Sequence, residues 1–217
     1  YACVDGLGCC GMPNWEHGDW DSLKKKGMHN INLLYPYVQA GAKVAVINPT
    51  CSMMMKDEYV TLLDTQEKNR VEAVAAAIVD VAEYLWNLRE EDRFQKAKSH
   101  PHGPVGYHLP CHLRAQAKGF RGRDMVKKVG GQPVKPVMEC CGHDGTYAMK
   151  KEYYESSLKI GKKAFDGMKN SEGEVWVTDC PLAAIQFEQH AHVKPMHPVS
   201  FLAQCYKEDG FGKKSES

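Results

Sequence analysis

Two Cys-Cys-Gly triplets, Cys9-Cys10-Gly11 and Cys140-Cys141-Gly142, set paired thiols beside a residue with no side chain. Neighbouring cysteines rarely bridge each other, because a vicinal disulfide strains the peptide between them. Metal ligation in a reducing compartment is the expected chemistry. A further cysteine trails each triplet: Cys51 comes 41 positions after Cys10, and Cys180 comes 39 after Cys141. With Cys111, the second set offers four soft thiolates, Cys111, Cys140, Cys141 and Cys180, a number that suits an iron–sulfur cluster or zinc. The compact C-x-x-C-x-x-C run of many cluster proteins is absent, so three separated loops must converge. Side chains of an adjacent pair diverge, which favours a distorted or unusual cluster over an ordinary cubane. The glycine after each pair is expected to let the backbone approach inorganic sulfur and donate N–H groups to it. The first set has only Cys9, Cys10 and Cys51, with Cys3 nearby; three thiolates and one histidine would also satisfy tetrahedral zinc.

The elements that must position these thiols are short. Residues 42–47 (AKVAVI) and 174–177 (EVWV) are apolar, β-branched runs that deliver Cys51 and Cys180 to turns, and 105–109 (VGYHL) does the same for Cys111. The triplets are offset by 131 positions and the trailing cysteines by 129, a near-constant spacing that predicts two similar modules related by a pseudo-twofold axis. The counterpart of Cys111 would fall upstream of Tyr1, so the first module, residues 1–98, is expected to be N-terminally truncated. The second spans 99–217, with the boundary in 97–104 (AKSHPHGP). Val71, Val74, Ala75, Ile78, Val79, Ala82, Leu85 and Leu88 predict one amphipathic helix over 70–89, and a second periodic stretch covers 151–168. The Gly-, Lys- and Ser-rich tail after Tyr206 is expected to be disordered. Alternating strands and helices define an α/β class of short parallel sheets flanked by helices, with the cysteines at the C-terminal ends of strands.

His108 and His112 flank Cys111, and His143 follows the second triplet; each is placed to hydrogen-bond a cluster sulfur, move a proton or ligate zinc. Thr146 is expected to cap a helix, Met53, Met54 and Met55 to fill core space, and Cys205 to be structural. Lys24, Lys25 and Lys26 form a solvated helix face. The balance of 28 Lys and Arg against 27 Asp and Glu leaves no basic field for nucleic acid. No G-x-G-x-x-G nucleotide fingerprint occurs, and no apolar run reaches membrane-spanning length, so a water-soluble chain is expected.

Residues 9–19 (CCGMPNWEHGD), 49–56 (PTCSMMMK), 107–116 (YHLPCHLRAQ), 142–150 (GHDGTYAMK) and 178–181 (TDCP) together resemble the cysteine-rich CCG domains of the heterodisulfide reductases and of lactate- and glycolate-oxidising complexes, nearest the cysteine-rich branch found in the anaerobic glycerol-3-phosphate dehydrogenases. The resemblance implies an iron–sulfur electron-transfer subunit of an anaerobic oxidoreductase, relaying electrons between a flavoprotein dehydrogenase and a quinone or thiol acceptor. A protein of that kind is cytoplasmic or peripheral at the inner face of the membrane through its partner. The alternatives are a cluster that itself cleaves disulfides, and a zinc-stabilised scaffold without redox activity. The implied cofactor is a 4Fe–4S or non-cubane cluster on Cys111, Cys140, Cys141 and Cys180 with His143 beside it, and a second cluster or zinc on Cys9, Cys10 and Cys51. The family ends each module in C-x-x-C, whereas this chain has Met54 and Ala183 at the second position, which leaves the five-cysteine non-cubane arrangement one thiolate short.

Overall fold

The computed structural model describes residues 1–63, 66–91, 97–133 and 136–212. The chain divides into two compact units, Tyr1–Asp80 and Val81–Ser217, and each holds its own two-stranded parallel sheet.

In the first unit, α1 (Met12–Glu16) opens on Gly11, which takes the left-handed φ of 90°. The longer α2 (Trp20–Gln39) starts where the Asp19 carboxylate accepts the Ser22 N–H at 3.2 Å. Its buried face, Leu23, Gly27, Asn30, Ile31 and Leu34, recurs every three or four residues. β1 (Val44–Val46) leads into α3 (Pro49–Met53), which the Asn48 side chain begins by accepting the Thr50 N–H at 3.0 Å. A π-helical turn (Met54–Glu58) and α4 (Tyr59–Leu62) continue it. Met54 and Met55 are buried and Met53 packs on the same core, as expected.

The helix expected over 70–89 is interrupted. α5 (Lys68–Ala77) stops at β2 (Ile78–Asp80), which pairs with β1 in the register Val44↔Ile78 to Val46↔Asp80, before α6 (Val81–Asn87) begins. Val71, Val74, Ala75 and Ile78 are all buried, so the periodicity is real. Two consecutive β-branched residues, Ile78 and Val79, lie against the open edge of β1, and strand pairing overrides a propensity that was only local.

The second unit builds from β3 (Val105–His108), α7 (Cys111–Ala115), α8 (Arg121–Lys128), α9 (Tyr154–Lys169), β4 (Val175–Thr178), α10 (Pro181–Ala191) and α11 (Pro198–Cys205). β3 and β4 pair in parallel from Val105↔Val175 to His108↔Thr178. Val137 bridges in parallel to the outer edge of β3 and Met196 to that of β4, which widens the sheet locally. One core cluster gathers Val105, Tyr107, Met125, Val126 and Phe201, and Cys205 is fully buried in it. The other gathers Ala164, Phe165, Met168, Trp176 and Phe187. Order continues past Tyr206, because the Phe211 ring packs 5.2 Å from Phe201; the rest of the tail expected to be disordered, 213–217, lies outside the described residues. Both sheets are parallel and flanked by helices, the α/β class that the sequence predicts. Among the described residues no helix is long and apolar enough to cross a membrane.

Candidate metal centre

In the second unit the strand order explains how distant cysteines meet. Leu109 N–H donates to the Val137 carbonyl and Val137 N–H to the Tyr107 carbonyl, both at 2.9 Å, so the segment before Cys140 runs parallel beside β3. Cys140 follows Val137 by three residues, Cys111 follows the end of β3, and Cys180 follows the end of β4. All three loops therefore leave the same end of one parallel sheet, where functional groups of α/β folds collect. Their thiols interact electrostatically: Cys141 senses Cys180, Cys140 and Cys111, and Cys111 senses Cys140.

Cys141 and Cys180 are buried, Cys140 is half-buried and Cys111 is exposed, so the group has one closed and one open side. Burial, with the neighbouring thiols adding to it, pushes Cys141 up to about 12 and Cys180 up to about 11. The N–H groups of Ala183 and Leu182 at the start of α10 work against burial at Cys180. Cys111 is raised too, by the protein around its sulfur first and Cys140 second. Without metal these three thiols keep their protons at neutral pH, and coordination would release them.

The Cys-Cys-Gly loop has the same local geometry in both units. Gly11 N–H donates to Cys9 Sγ at 3.4 Å and Gly142 N–H to Cys140 Sγ at 3.3 Å, and φ is 90° and 79° at the two glycines. Packing gives a reason of its own for glycine at both positions. A Cβ on Gly142 would stand 2.2 Å from the Ser157 carbonyl oxygen, and one on Gly11 would stand 2.5 Å from Leu23 Cδ1. The missing side chain lets the loop lie on a helix, and the N–H serves the first cysteine of the pair.

Four buried side chains that sequence reasoning passed over fix these loops. Tyr59 Oη donates to the Cys10 carbonyl at 2.8 Å, and Asn30 Nδ2 reaches the Cys9 carbonyl at 3.2 Å. Gln186 Nε2 donates to the Cys141 carbonyl at 3.2 Å and to Ser157 Oγ at 3.0 Å, and Ser157 Oγ donates to the Gly142 carbonyl at 2.7 Å. The available signal is a polar residue at a core position: Asn30 on the apolar spacing of α2, and Gln186 within LAAIQF.

The histidines separate. His143 is buried beside Cys141, and its Nδ1 has no hydrogen-bond partner among the described residues; burial holds its pKa below the ordinary value. His112 Nδ1 lies 3.5 Å from Cys111 Sγ. His108 is turned away from ligation, since Nδ1 meets Thr178 Oγ1 and Nε2 meets the Glu139 carbonyl, each at 3.0 Å. Thr146 precedes a 3-10 turn, but its side chain does not cap it.

In the first unit Cys10 shares side-chain hydrogen bonds with Cys51 and Cys9, and the Cys51 contact, ahead of burial, raises the Cys10 thiol. Cys51 lies on α3, directly after β1. Cys3 is exposed. Among the described residues no three His, Cys, Asp or Glu side chains converge tightly enough to hold a single metal ion. A cluster asks for a wider frame, because its thiolates bind different irons. The second unit fits that demand: four thiols at one sheet end, buried on one side.

Residues 105–188 match the family described as the cysteine-rich domain, CCG. The chain is 29% identical over 199 residues to the C subunit of the anaerobic glycerol-3-phosphate dehydrogenase of Escherichia coli K12, covering 91% of this chain and 49% of that protein. It is 26% identical over 206 residues to lactate utilization protein A of an Exiguobacterium species, covering 89% and 78% respectively. A lactate utilization protein A of Shouchella clausii is 25% identical over 147 residues, covering 65% and 59%. The chain spans about half the length of the glycerol-3-phosphate dehydrogenase protein that it matches.

Proposed function

We propose that this chain is the cysteine-rich part of an iron–sulfur electron-transfer subunit in an oxidoreductase complex. Cys111, Cys140, Cys141 and Cys180 hold the cluster, of the 4Fe–4S or a related non-cubane type, with His143 donating to it from the buried side. The observation that carries this reading is the departure of three cysteine loops from one end of a parallel sheet. Bound there, a cluster takes up and releases single electrons at a potential set by burial and hydrogen bonds to sulfur. The protein's own share is to exclude water at Cys141 and Cys180 and to hold the loop carbonyls through Gln186 and Ser157. Cys111, exposed, marks the side by which an electron partner approaches.

The relatives' names support a redox complex as the setting. The donor is a flavoprotein dehydrogenase and the acceptor a quinone or a thiol, with any membrane contact made through a partner. Cys9, Cys10 and Cys51 form a second ligand set, for another cluster, in the first unit. The open side at Cys111 favours one further reading, in which a disulfide substrate reaches the cluster directly.

An electron paramagnetic resonance redox titration of the anaerobically purified chain tests the function. We expect a cluster signal that appears and disappears reversibly with potential and is lost in Cys180→Ser. A chain with no redox-active signal at any potential would reject electron transfer.

A further inference from the structure

A continuous run of hydrogen bonds links two of the proposed ligand loops, and no ligand sulfur is part of it. The Cys180 N–H donates to Thr178 Oγ1 at 3.4 Å, Thr178 Oγ1 lies 3.0 Å from His108 Nδ1, and His108 Nε2 lies 3.0 Å from the carbonyl of Glu139, the residue before Cys140. His108 and Thr178 are each 1% exposed, and the His108 ring stands edge-on to Phe187 at 5.0 Å. The partners settle every proton. A carbonyl only accepts, so Nε2 carries the ring hydrogen; in a neutral ring Nδ1 must then accept, and the Thr178 hydroxyl donates to it. That orientation leaves the Thr178 oxygen lone pairs for the Cys180 N–H.

We propose that His108 is a positioning residue: as the Nε2–H tautomer, it straps the loop entering Cys140-Cys141 to the turn entering Cys180 and so fixes the spacing of the thiols before any metal arrives. His108 and Thr178 are also the last residues of β3 and β4 and register partners, so the strap sits where the two strands release their cysteine loops. Leucine in place of His108 would keep most of the apolar contact with Phe187 and leave the Glu139 carbonyl and the Thr178 hydroxyl without this partner. Glutamine would keep a donor for the carbonyl.

This proposal rests on the ligand assignment above, but its test is made on the iron-free chain and does not need a cluster to form. The rates of iodoacetamide alkylation of Cys141 and Cys205, both buried, are followed by mass spectrometry at neutral pH in the full chain. Cys205 belongs to the other core cluster of the same unit and serves as an internal gauge of general loosening. Loss of both His108 hydrogen bonds in His108→Leu should speed alkylation of Cys141 about tenfold or more while leaving Cys205 unchanged, with Thr178→Val acting in the same direction and His108→Gln restoring the slow rate. Equal acceleration at Cys141 and Cys205, or no acceleration at Cys141, would overturn the strap. Neither result would bear on whether the intact set binds iron, which the metal content of the unaltered chain reports separately.

Discussion

At the scale of single residues, the cysteines are legible in the sequence and their supports are not. Cys111, Cys140, Cys141 and Cys180 stand out by type and spacing, but Gln186, Ser157, Asn30 and Tyr59 act through contacts to loop carbonyls, which no spacing in the sequence records. His108 shows the same limit. Its place beside Cys111 suggests a role at the metal, and the structure commits both ring nitrogens to Thr178 and Glu139. Burial lowers its pKa to about 4, with Arg114 adding a smaller push in the same direction. The unfolded chain, with an ordinary histidine near 6.5, therefore binds more protons than the folded one between those values, and stability rises with pH there. The contribution is complete above about pH 6.5 and is lost as pH falls towards 4, to a limit of about 3 kcal/mol. Urea unfolding at pH 7 and pH 4.5 should show a smaller stability loss in His108→Gln than in the unaltered chain; an identical loss would mean that His108 titrates normally.

At the scale of elements, all three strand–cysteine runs read from the sequence are present as β1, β3 and β4, because short β-branched segments between turn residues announce themselves. The long helix over 70–89 fails for a tertiary reason: nothing local in Ile78 and Val79 reveals that β1 offers them an edge. The bridges of Val137 and Met196 are equally invisible, yet the Val137 bridge is what brings the Cys140 loop to the sheet end. The α9 and α10 helices clamp that loop from the other side through Ser157 and Gln186. Gln186→Leu removes a buried donor from the Cys141 carbonyl and from Ser157 Oγ, and we expect it to lower stability by about 1–3 kcal/mol, measured by urea unfolding. A change below a few tenths of a kcal/mol would show that the loop holds without the clamp.

At the scale of the whole molecule, the sequence offset between triplets has a structural counterpart in the matching Gly11 and Gly142 loops, each with its N–H on the first sulfur of the pair. The two units differ in what surrounds those loops. The second gathers four thiols at one sheet end, and the first presents Cys9, Cys10 and Cys51. The proposed function stands or falls with an iron–sulfur cluster on the second set. Its most direct test is the iron, acid-labile sulfide and zinc content of the chain purified without oxygen, for the unaltered protein and for Cys111→Ser, Cys140→Ser, Cys141→Ser and Cys180→Ser. We predict about four irons and four sulfides per second-unit site, lost or sharply reduced in each of the four variants. Stoichiometric zinc with no iron or sulfide, or iron content indifferent to all four substitutions, would contradict it.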